Sequence, residues 1–265
     1  MLKKVLIYSL FLAGLGSQSY AQATNEAPEL PFQSGEWFEF RIHYGWFNAS
    51  YATLKLTKET LDQSPVYHAA GIGKTTGLAR LFFRVDDYYD TFFDPKTVLP
   101  KKFLRNIYEG GYTKDTEIYF DHPELKAHVN DKKHQKKEDF EIRPLTQDLM
   151  SAFYFLRTFY PKNGLKIGES YALDMFFDKE NYVFKLKFLG RESLSTKFGK
   201  VPCLKFRPIV QAGRVFREEE SVTLWVSQDQ NRIPVRLQAD LAVGSIKADL
   251  NNFSNLKYPF EIEMK

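Results

Sequence analysis

The stretch Phe38-Glu39-Phe40-Arg41-Ile42-His43-Tyr44 alternates apolar and polar side chains along its whole length. The aromatic and aliphatic residues fall on one parity, and Glu39, Arg41 and His43 fall on the other. Because successive side chains of a β-strand point to opposite faces of a sheet, this period of two predicts a strand with one buried face. Gly45 and Asn48 follow, and the alternation then resumes, so the first element predicted is a β-hairpin.

The same alternation recurs along the rest of the chain. It predicts strands over residues 52–56, 116–120, 182–188, 222–226, 233–237 and 246–250. Short strands separated by turn residues are typical of antiparallel sandwiches and barrels.

One segment follows a helical period instead. Leu149, Phe153, Leu156 and Tyr160 are spaced by four, three and four residues, which places them on one helix face. We predict a helix over 147–160 with Thr146 as N-cap, and a shorter helical turn at residues 76–82. The predicted fold is mainly β, a curved antiparallel sheet or open barrel wrapped around this one central helix. Two independent domains, over 36–143 and 170–255, are the alternative.

Composition narrows the class of protein. The 265 residues include 24 Phe, 15 Tyr and 3 Trp, and so many rings need a packed core or a ligand surface, which excludes a wholly disordered chain. The single cysteine excludes an intrachain disulfide framework and a cysteine-rich metal site. The formal net charge of +4 gives no argument for nucleic acid as a partner. No cofactor is predicted.

The N-terminus is typical of an export signal. Lys3 and Lys4 precede an apolar run too short to span a bilayer, and Ser19 and Ala21 are the small residues that signal peptidase requires. We therefore expect residues 1–21 to be a signal peptide cleaved after Ala21. The only cysteine, Cys203, lies far from that point, so no lipoprotein anchor is expected. The remaining expectations are a flexible tether over 22–35, one domain over 36–255 and a C-terminal tail over 256–265.

Several motifs suggest chemistry only weakly. Gly73-Lys74-Thr75 ends like a phosphate-binding loop, but His68 occupies the position of its first glycine. His122, His128 and His134 would share a face of one uninterrupted strand, but the lysines among residues 132–137 favour a solvated hairpin tip over a metal site. We predict neither metal ligands nor catalytic residues, and we expect Cys203 to be an inert core thiol.

Asp87 is the most unusual polar residue, because its parity places it among the apolar residues of the stretch Phe82–Asp94. A buried carboxylate must be paired or protonated. Pairing with Arg105 or Arg217 is the structural interpretation that we favour. The functional interpretation is a general acid, and a hydrolase or lyase of an envelope polymer would then use Asp86, Asp87 or Asp90.

Aromatic residues in excess of one buried face suggest a ligand site. The rings of residues 82–93 and those of the predicted helix are the candidates, and an apolar groove between sheet and helix would hold an acyl chain or a hydrophobic peptide. The predicted ligand-binding residues are Phe82, Phe83, Tyr89, Phe153, Leu156 and Tyr160.

Three segments carry a resemblance to a known family. They are residues 76–89, 145–157 and 213–250, of which the most specific parts are Trp225-Val226-Ser227 and Asn231-Arg232-Ile233-Pro234-Val235. The chain resembles domain-of-unknown-function family 3108 over about residues 35–255. The resemblance implies an exported, β-rich periplasmic protein of a Gram-negative bacterium and supplies no catalytic residues.

More remotely, the predicted fold is similar to that of periplasmic lipoprotein carriers. The leading hypothesis is a non-enzymatic binding or envelope-maintenance module, with a lipid, a lipoprotein or a hydrophobic peptide as partner. A scaffold partner of an outer-membrane machine is a further alternative.

Overall fold

The computed structural model describes residues 29–159, 164–209 and 222–263. The strands are β1 (Trp37–Tyr44), β2 (Phe47–Leu61), β3 (Ser64–Thr75), β4 (Asp86–Phe93), β5 (Pro100–Glu109), β6 (Tyr112–Asp121), β7 (Lys126–Asp131), β8 (Lys136–Glu141), β9 (Ser170–Phe177), β10 (Glu180–Thr196), β11 (Gly199–Ile209), β12 (Val222–Ser227), β13 (Pro234–Asp240) and β14 (Ser245–Ser254). The helices are α1 (Gly77–Phe82), between β3 and β4, and α2 (Leu149–Thr158), between β8 and β9.

All fourteen strands form one antiparallel sheet, in the order β8-β7-β6-β5-β4-β3-β2-β1-β14-β13-β12-β11-β10-β9. The predicted mainly β, curved sheet is therefore confirmed, and both groups of strands belong to it. The first strand pairs with the last, Phe38 lying opposite Phe253. In the part of the chain that the structure describes, no ladder joins β8 to β9, so the sheet is not closed.

Backbone and side-chain contacts nevertheless connect the two edges of the sheet. Gln147 forms a parallel bridge with Met175 of β9. The turn between β9 and β10 extends back over the strands of the opposite edge, where Asp178 accepts a 2.6 Å hydrogen bond from Arg105 of β5. Lys179 forms an ion pair with Glu138 of β8. Local contacts thus hold together the edges that strand pairing leaves open.

Helix α2 starts later than the sequence predicts. Its N-cap is Asp148, whose carboxylate accepts hydrogen bonds from the backbone N–H groups of Met150 and Ser151, and Ser151 completes a capping box. The prediction of Thr146 as N-cap is wrong because its hydroxyl donates instead to the carbonyl of Arg143, at 2.7 Å. No helix among the described residues is long and apolar enough to cross a bilayer.

The main core lies against α2 and includes residues from outside the predicted domain. Phe32, Tyr67, Phe93 and Tyr154 form a ring cluster with centroid separations of 4.9 to 6.1 Å. Phe32 is fully buried, although it lies in the stretch expected to be a flexible tether. Phe260, from the expected tail, packs 4.8 Å from Phe253. Residues on both sides of 36–255 therefore belong to the packed structure.

Candidate functional site

The six residues predicted to bind ligand occupy two different environments. Phe82 and Phe83 are exposed, at the end of α1. Tyr89 is partly buried in β4 and packs against Phe103. Phe153 and Leu156, on α2, pack against separate core clusters. Tyr160 lies outside the described residues. The structure therefore separates the α1 pair from the α2 pair.

The interior pair serves the core. Phe153 packs against Tyr154 and Phe38, with ring centroids 4.9 and 6.2 Å apart. Leu156 packs among apolar residues of β9, β10 and β11. Around Tyr154 the space between α2 and the sheet is occupied by aromatic rings. The exposed pair, Phe82 and Phe83, is therefore the better candidate for a ligand-binding surface.

Phe82 and Phe83 lie at one end of the sheet, which we call the α1 rim. In a meander of antiparallel strands, every connection from an odd-numbered to an even-numbered strand falls at the same end. The α1 rim is therefore formed by α1 and by the turns that join β1 to β2, β5 to β6, β7 to β8, β9 to β10 and β13 to β14.

The α1 rim exposes large apolar side chains. Trp46, in the β1–β2 turn, is 93% exposed, and Phe82 and Leu81 of α1 are 87% and 78% exposed. None of the residues of α1 is buried. The other exposed apolar residues of the rim are Leu78, Phe83, Tyr112, Leu241 and Val243. Exposed apolar side chains grouped at one end of a sheet mark a site of interaction more often than scattered single residues do.

Backbone and side-chain contacts join these turns into one row. The hydroxyl of Tyr44 donates to the carbonyl of Val243 at 2.9 Å, which joins the β13–β14 turn to the end of β1. The N–H of Thr76, before α1, donates to the carbonyl of Ala49 in β2 at 3.1 Å. Beyond α1, the N–H of Gly110 donates to the carbonyl of Arg84 at 2.8 Å, which fixes the β5–β6 turn.

Close packing also fixes Phe83 on the rim. Gly110 has a positive φ of 54°, and a Cβ there would lie 2.3 Å from the ring of Phe83. The positive φ favours glycine, and a larger residue there would displace the ring of Phe83. The aromatic end of α1 is thus held against the β5–β6 turn.

Basic side chains surround the apolar row. Asp86 accepts hydrogen bonds from Arg80, at 2.8 and 2.9 Å, and from Arg84, at 2.5 Å. These two guanidinium groups, Arg80 first, hold the pKa of the Asp86 carboxyl far below its usual range. Lys74 lies 5.0 Å from the ring of Tyr88, and Lys133 lies 5.8 Å from that of Tyr112. At α1 itself, two guanidinium groups thus share one carboxylate.

Asp87 is buried, as its parity predicts, and among the described residues its hydrogen-bond donor is a backbone group rather than Arg105. It accepts a 3.2 Å hydrogen bond from the N–H of Tyr108 and lies beside the carboxyl group of Glu109. Burial first, and then the neighbouring carboxyl group of Glu109, raise the pKa of Asp87 to about 6. Arg105 exerts only a weak opposing effect, and Arg217 lies outside the described residues.

The remaining candidate motifs have ordinary structural surroundings. His122, His128 and His134 have separate partners, namely the carbonyl of Pro100 and the carboxylates of Asp139 and Asp131. No group of three or more His, Cys, Asp or Glu side chains in the described ranges is placed to hold a metal ion.

Two further predictions from the sequence are confirmed. The lysines of residues 132–137 lie in and beside the turn that joins β7 to β8, as predicted for a hairpin tip. Cys203 is buried, and burial raises the pKa of its thiol to about 12, so it stays a neutral core thiol.

Most of the α1 rim could not be predicted from the sequence. Trp46, Leu78, Leu81 and Val243 were not predicted to bind, because their assembly depends on the register of strands far apart in sequence. One local signal was present. Residues 78–83 carry apolar side chains at Leu78, Leu81, Phe82 and Phe83, too many neighbouring positions for a single buried helix face.

Comparison with known proteins gives a family and a fold. A family model described as "Protein of unknown function (DUF3108)" matches residues 39–251. A β-barrel-like protein of domain of unknown function DUF1849 from Brucella abortus is similar in structure, with a TM-score of 0.53 and 9% sequence identity over 85% of this chain and 99% of the other. A DUF1089 family protein from Pseudomonas aeruginosa gives a TM-score of 0.38 at 12% identity, over 71% and 88% of the two chains. No curated protein matches the sequence.

Proposed function

The chain belongs to the DUF3108 family of proteins of unknown function, and we propose that it is an exported, non-enzymatic periplasmic module that docks on a membrane leaflet through the α1 rim. In this proposal Trp46, Leu81, Phe82 and their neighbours enter the acyl boundary of the leaflet, while the sheet, curved around α2, serves as a rigid support.

The observation that carries the proposal is the exposure of α1. A six-residue helix with no buried residue contributes nothing to the core through Leu78, Leu81 and Phe82. Fully burying a Leu or Phe side chain is worth roughly 1.5–3 kcal/mol, so leaving several in water forgoes a large stabilisation unless a partner covers them. Arg80 and Arg84 fix the segment through Asp86, so the apolar side chains are presented on a held scaffold.

The kinds of residue on the rim favour a lipid leaflet over a peptide. Trp and Tyr have an apolar ring and a polar edge, and Lys and Arg extend apolar stems, so all four are favoured at the boundary between acyl chains and headgroups. The guanidinium of Arg84 lies 4.7 Å from the ring of Tyr108, and Lys74 and Lys133 lie over rings in the same way. Such cations would face the phosphates of anionic lipids while the rings lie below them.

Co-sedimentation of the mature chain, residues 22–265, with vesicles tests the proposal. We expect binding to vesicles of phosphatidylethanolamine and phosphatidylglycerol, and weaker binding to phosphatidylcholine alone. The double substitution Leu81→Ser and Phe82→Ser should weaken binding at least about tenfold, because it removes two large apolar side chains from the contact. Trp46 provides a second readout, since its emission should shift to shorter wavelength on binding and the shift should vanish in Trp46→Phe.

Ile167→Ser is the matched control. Ile167 is 75% exposed and lies just before β9, at the opposite end of the sheet, so its substitution should leave vesicle binding unchanged. The membrane proposal fails if the protein binds to neither kind of vesicle. It also fails if the double variant at Leu81 and Phe82 binds as well as the control does. The scaffold alternative would then be examined by photo-cross-linking from position 46 in intact cells.

A further inference from the structure

A polar cleft lies away from the α1 rim, where the turn after β10 faces strands β1, β13 and β14. It has a volume of about 210 Å³. The polar residues that line it include Arg41, Ser195, Lys197, Arg236, Asp249 and Asn251. We call it the Arg41 cleft. Its residues come from both ends of the described sequence, so only the folded sheet assembles them.

The one carboxylate that lines the Arg41 cleft is already neutralised. Asp249 accepts hydrogen bonds from Arg236 through both oxygens, at 2.5 and 3.0 Å, and from Nε2 of His43 at 3.0 Å. A bidentate guanidinium pair of this kind is among the stronger charge-assisted contacts in proteins. Asp249 and Arg236 therefore satisfy each other and leave the other cations of the cleft unbalanced.

Two cations of the cleft have no acidic partner. Among the residues that the structure describes, no carboxylate lies within ion-pair distance of Arg41 or Lys197. The ammonium group of Lys197 donates to the side-chain oxygen of Asn251 at 3.2 Å. Asn251 in turn donates to Glu39 at 2.5 Å, so the amide is held in one orientation with its oxygen toward the lysine.

From this arrangement we propose that the Arg41 cleft binds a phosphate-type oxyanion. The planar guanidinium of Arg41 matches two oxygens of such an anion, and the ammonium of Lys197 supplies a compact positive charge beside it. The hydroxyl group of Ser195 borders the same cleft and can donate to a remaining oxygen, whereas that of Thr196 already donates to the carbonyl of Gly199 at 2.8 Å. Val235 and Leu250 give it an apolar wall that limits hydration of the bound group.

The size of the cleft restricts the ligand. A volume of about 210 Å³ equals that of about seven water molecules at ~30 Å³ each. It accommodates one phosphate group with a short substituent, and it is smaller than the ~300–1,000 Å³ typical of sites for larger ligands. The group expected inside the cleft is therefore inorganic phosphate or the phosphate of a small headgroup.

Isothermal titration of the mature chain with inorganic phosphate and with glycerol 3-phosphate tests the proposal, each against chloride at equal ionic strength. We expect saturable binding that Arg41→Gln weakens roughly tenfold, the effect of losing one charge-assisted contact. Lys197→Gln should weaken it similarly and serves as the second variant, because Lys197 lies in an exposed turn where substitution does not threaten the fold. Lys126→Gln, the same charge change on exposed β7, should leave binding unchanged.

The two ligands distinguish the source of the anion. Binding of both supports a site for free phosphate, whereas binding of glycerol 3-phosphate alone supports a site for a lipid headgroup. The proposal is overturned if neither ligand binds beyond the effect of ionic strength, or if folded Arg41→Gln and Lys197→Gln bind as the wild type does. Since the α1 rim is untouched by these substitutions, vesicle binding through Phe82 can fail or succeed independently.

Discussion

Asp87 has a carboxylate, Glu109, as its close charged neighbour, and this pairing determines how its ionisation affects stability. Burial together with that neighbour raises the pKa of Asp87 from its ordinary value of 3.8 to about 6. Between these two values the unfolded chain loses the proton while the folded protein keeps it. The free energy of unfolding contributed by Asp87 therefore falls as pH rises from about 4 to about 6 and is constant above that range.

Asp87→Asn should remove this pH dependence. An amide oxygen can still accept from the N–H of Tyr108, and the amide N–H₂ can donate to Glu109, so the variant keeps the contacts without the charge. We expect it to be more stable than the wild type near pH 7, by on the order of 1 kcal/mol, and about equally stable near pH 4. Urea denaturation at both pH values measures the difference.

The same variant tests the hydrolase alternative. Asp139→Asn is the matched control, since Asp139 is exposed, is not one of the candidate acids and bonds to Nδ1 of His128 at 2.8 Å. A wild-type activity on envelope polymers that Asp87→Asn abolishes while raising stability would establish a catalytic role. A loss of stability near pH 7 would show instead that the Asp87 carboxylate is favourably paired, contrary to the pH argument.

The burial of Asp87 could be predicted from sequence, but its partner could not. Parity along residues 83–93 places Asp87 on the apolar face, and the structure confirms that it is buried. Glu109 approaches only because β4 and β5 pair in register and Val85 bridges to Glu109. Neither the length of the connection nor the residues between them specify that register, so Glu109 could not be predicted as the neighbour of Asp87.

Helix α2 depends at its start on a fully buried cap. Asp148 accepts from Met150 and Ser151 at 2.7 and 2.8 Å, and from the hydroxyl of Thr91 in β4 at 2.5 Å. The last contact ties the helix to the sheet. Burial raises the pKa of Asp148 to about 6 in spite of these hydrogen bonds, so its charge contributes less to stability than its oxygens do.

Asp148→Ala should therefore be strongly destabilising and Asp148→Asn only mildly so. Alanine removes the N-cap, worth about 1–2 kcal/mol, and leaves the hydroxyl of buried Thr91 without its acceptor, worth about 1–3 kcal/mol more. Asparagine retains an acceptor for the helix N–H groups, and its amide N–H₂ can donate to the Thr91 hydroxyl, which can donate in turn to the carbonyl of Lys102 at 3.5 Å. Chemical denaturation followed by circular dichroism gives the two differences, and equal losses in both variants would contradict the argument that oxygens matter more than charge.

The helices and strands with a clear periodicity could be predicted from the sequence. The helix and the alternating strands were found, although β2 and β10 extend well beyond the predicted 52–56 and 182–188. Strand β3 was missed except for its end, because glycines and alanines interrupt its pattern. The structure supplies the reason at Gly71, where a Cβ would lie 2.7 Å from the methyl group of Met150, so α2 packs directly on the backbone of β3.

Edge strands carry still less signal in the sequence. Strand β8, Lys136–Glu141, has five charged residues and one Phe, a composition that reads as a solvated loop. Charged side chains are a common means of preventing an exposed edge from pairing with another chain. Here they also form ion pairs with the opposite edge, Glu138 with Lys179. The charged residues of β8 make it hard to recognise as a strand in the sequence, and they also help to join the two edges of the open sheet.

A buried ion pair between Arg157 and Glu36 connects several segments of the protein. Arg157 of α2 contacts Glu36, before β1, through two hydrogen bonds of 2.5 and 2.8 Å. Its Nε donates to the carbonyl of Asn231 at 2.9 Å, in the turn before β13. The side chain of Asn231 donates to the carbonyls of Tyr258 and Pro259 at 3.0 and 3.1 Å. The N-terminal segment, the helix, a turn and the C-terminal segment therefore meet at Arg157.

Glu36→Gln should destabilise the protein by about 3–5 kcal/mol, because it leaves the buried guanidinium without a counter-charge. In the double variant with Arg157→Met the loss should be smaller than the sum of the two single losses, since neither buried charge then remains. Urea denaturation of the four proteins gives the coupling, and limited proteolysis reports whether the segment around Phe32 is released when the pair is broken. The opposite outcome would be additive losses of stability in the double variant, or a loss below about 1 kcal/mol for Glu36→Gln. Either result would show that the aromatic rings around Arg157, including Phe32 at 5.3 Å, hold these segments together without the ion pair.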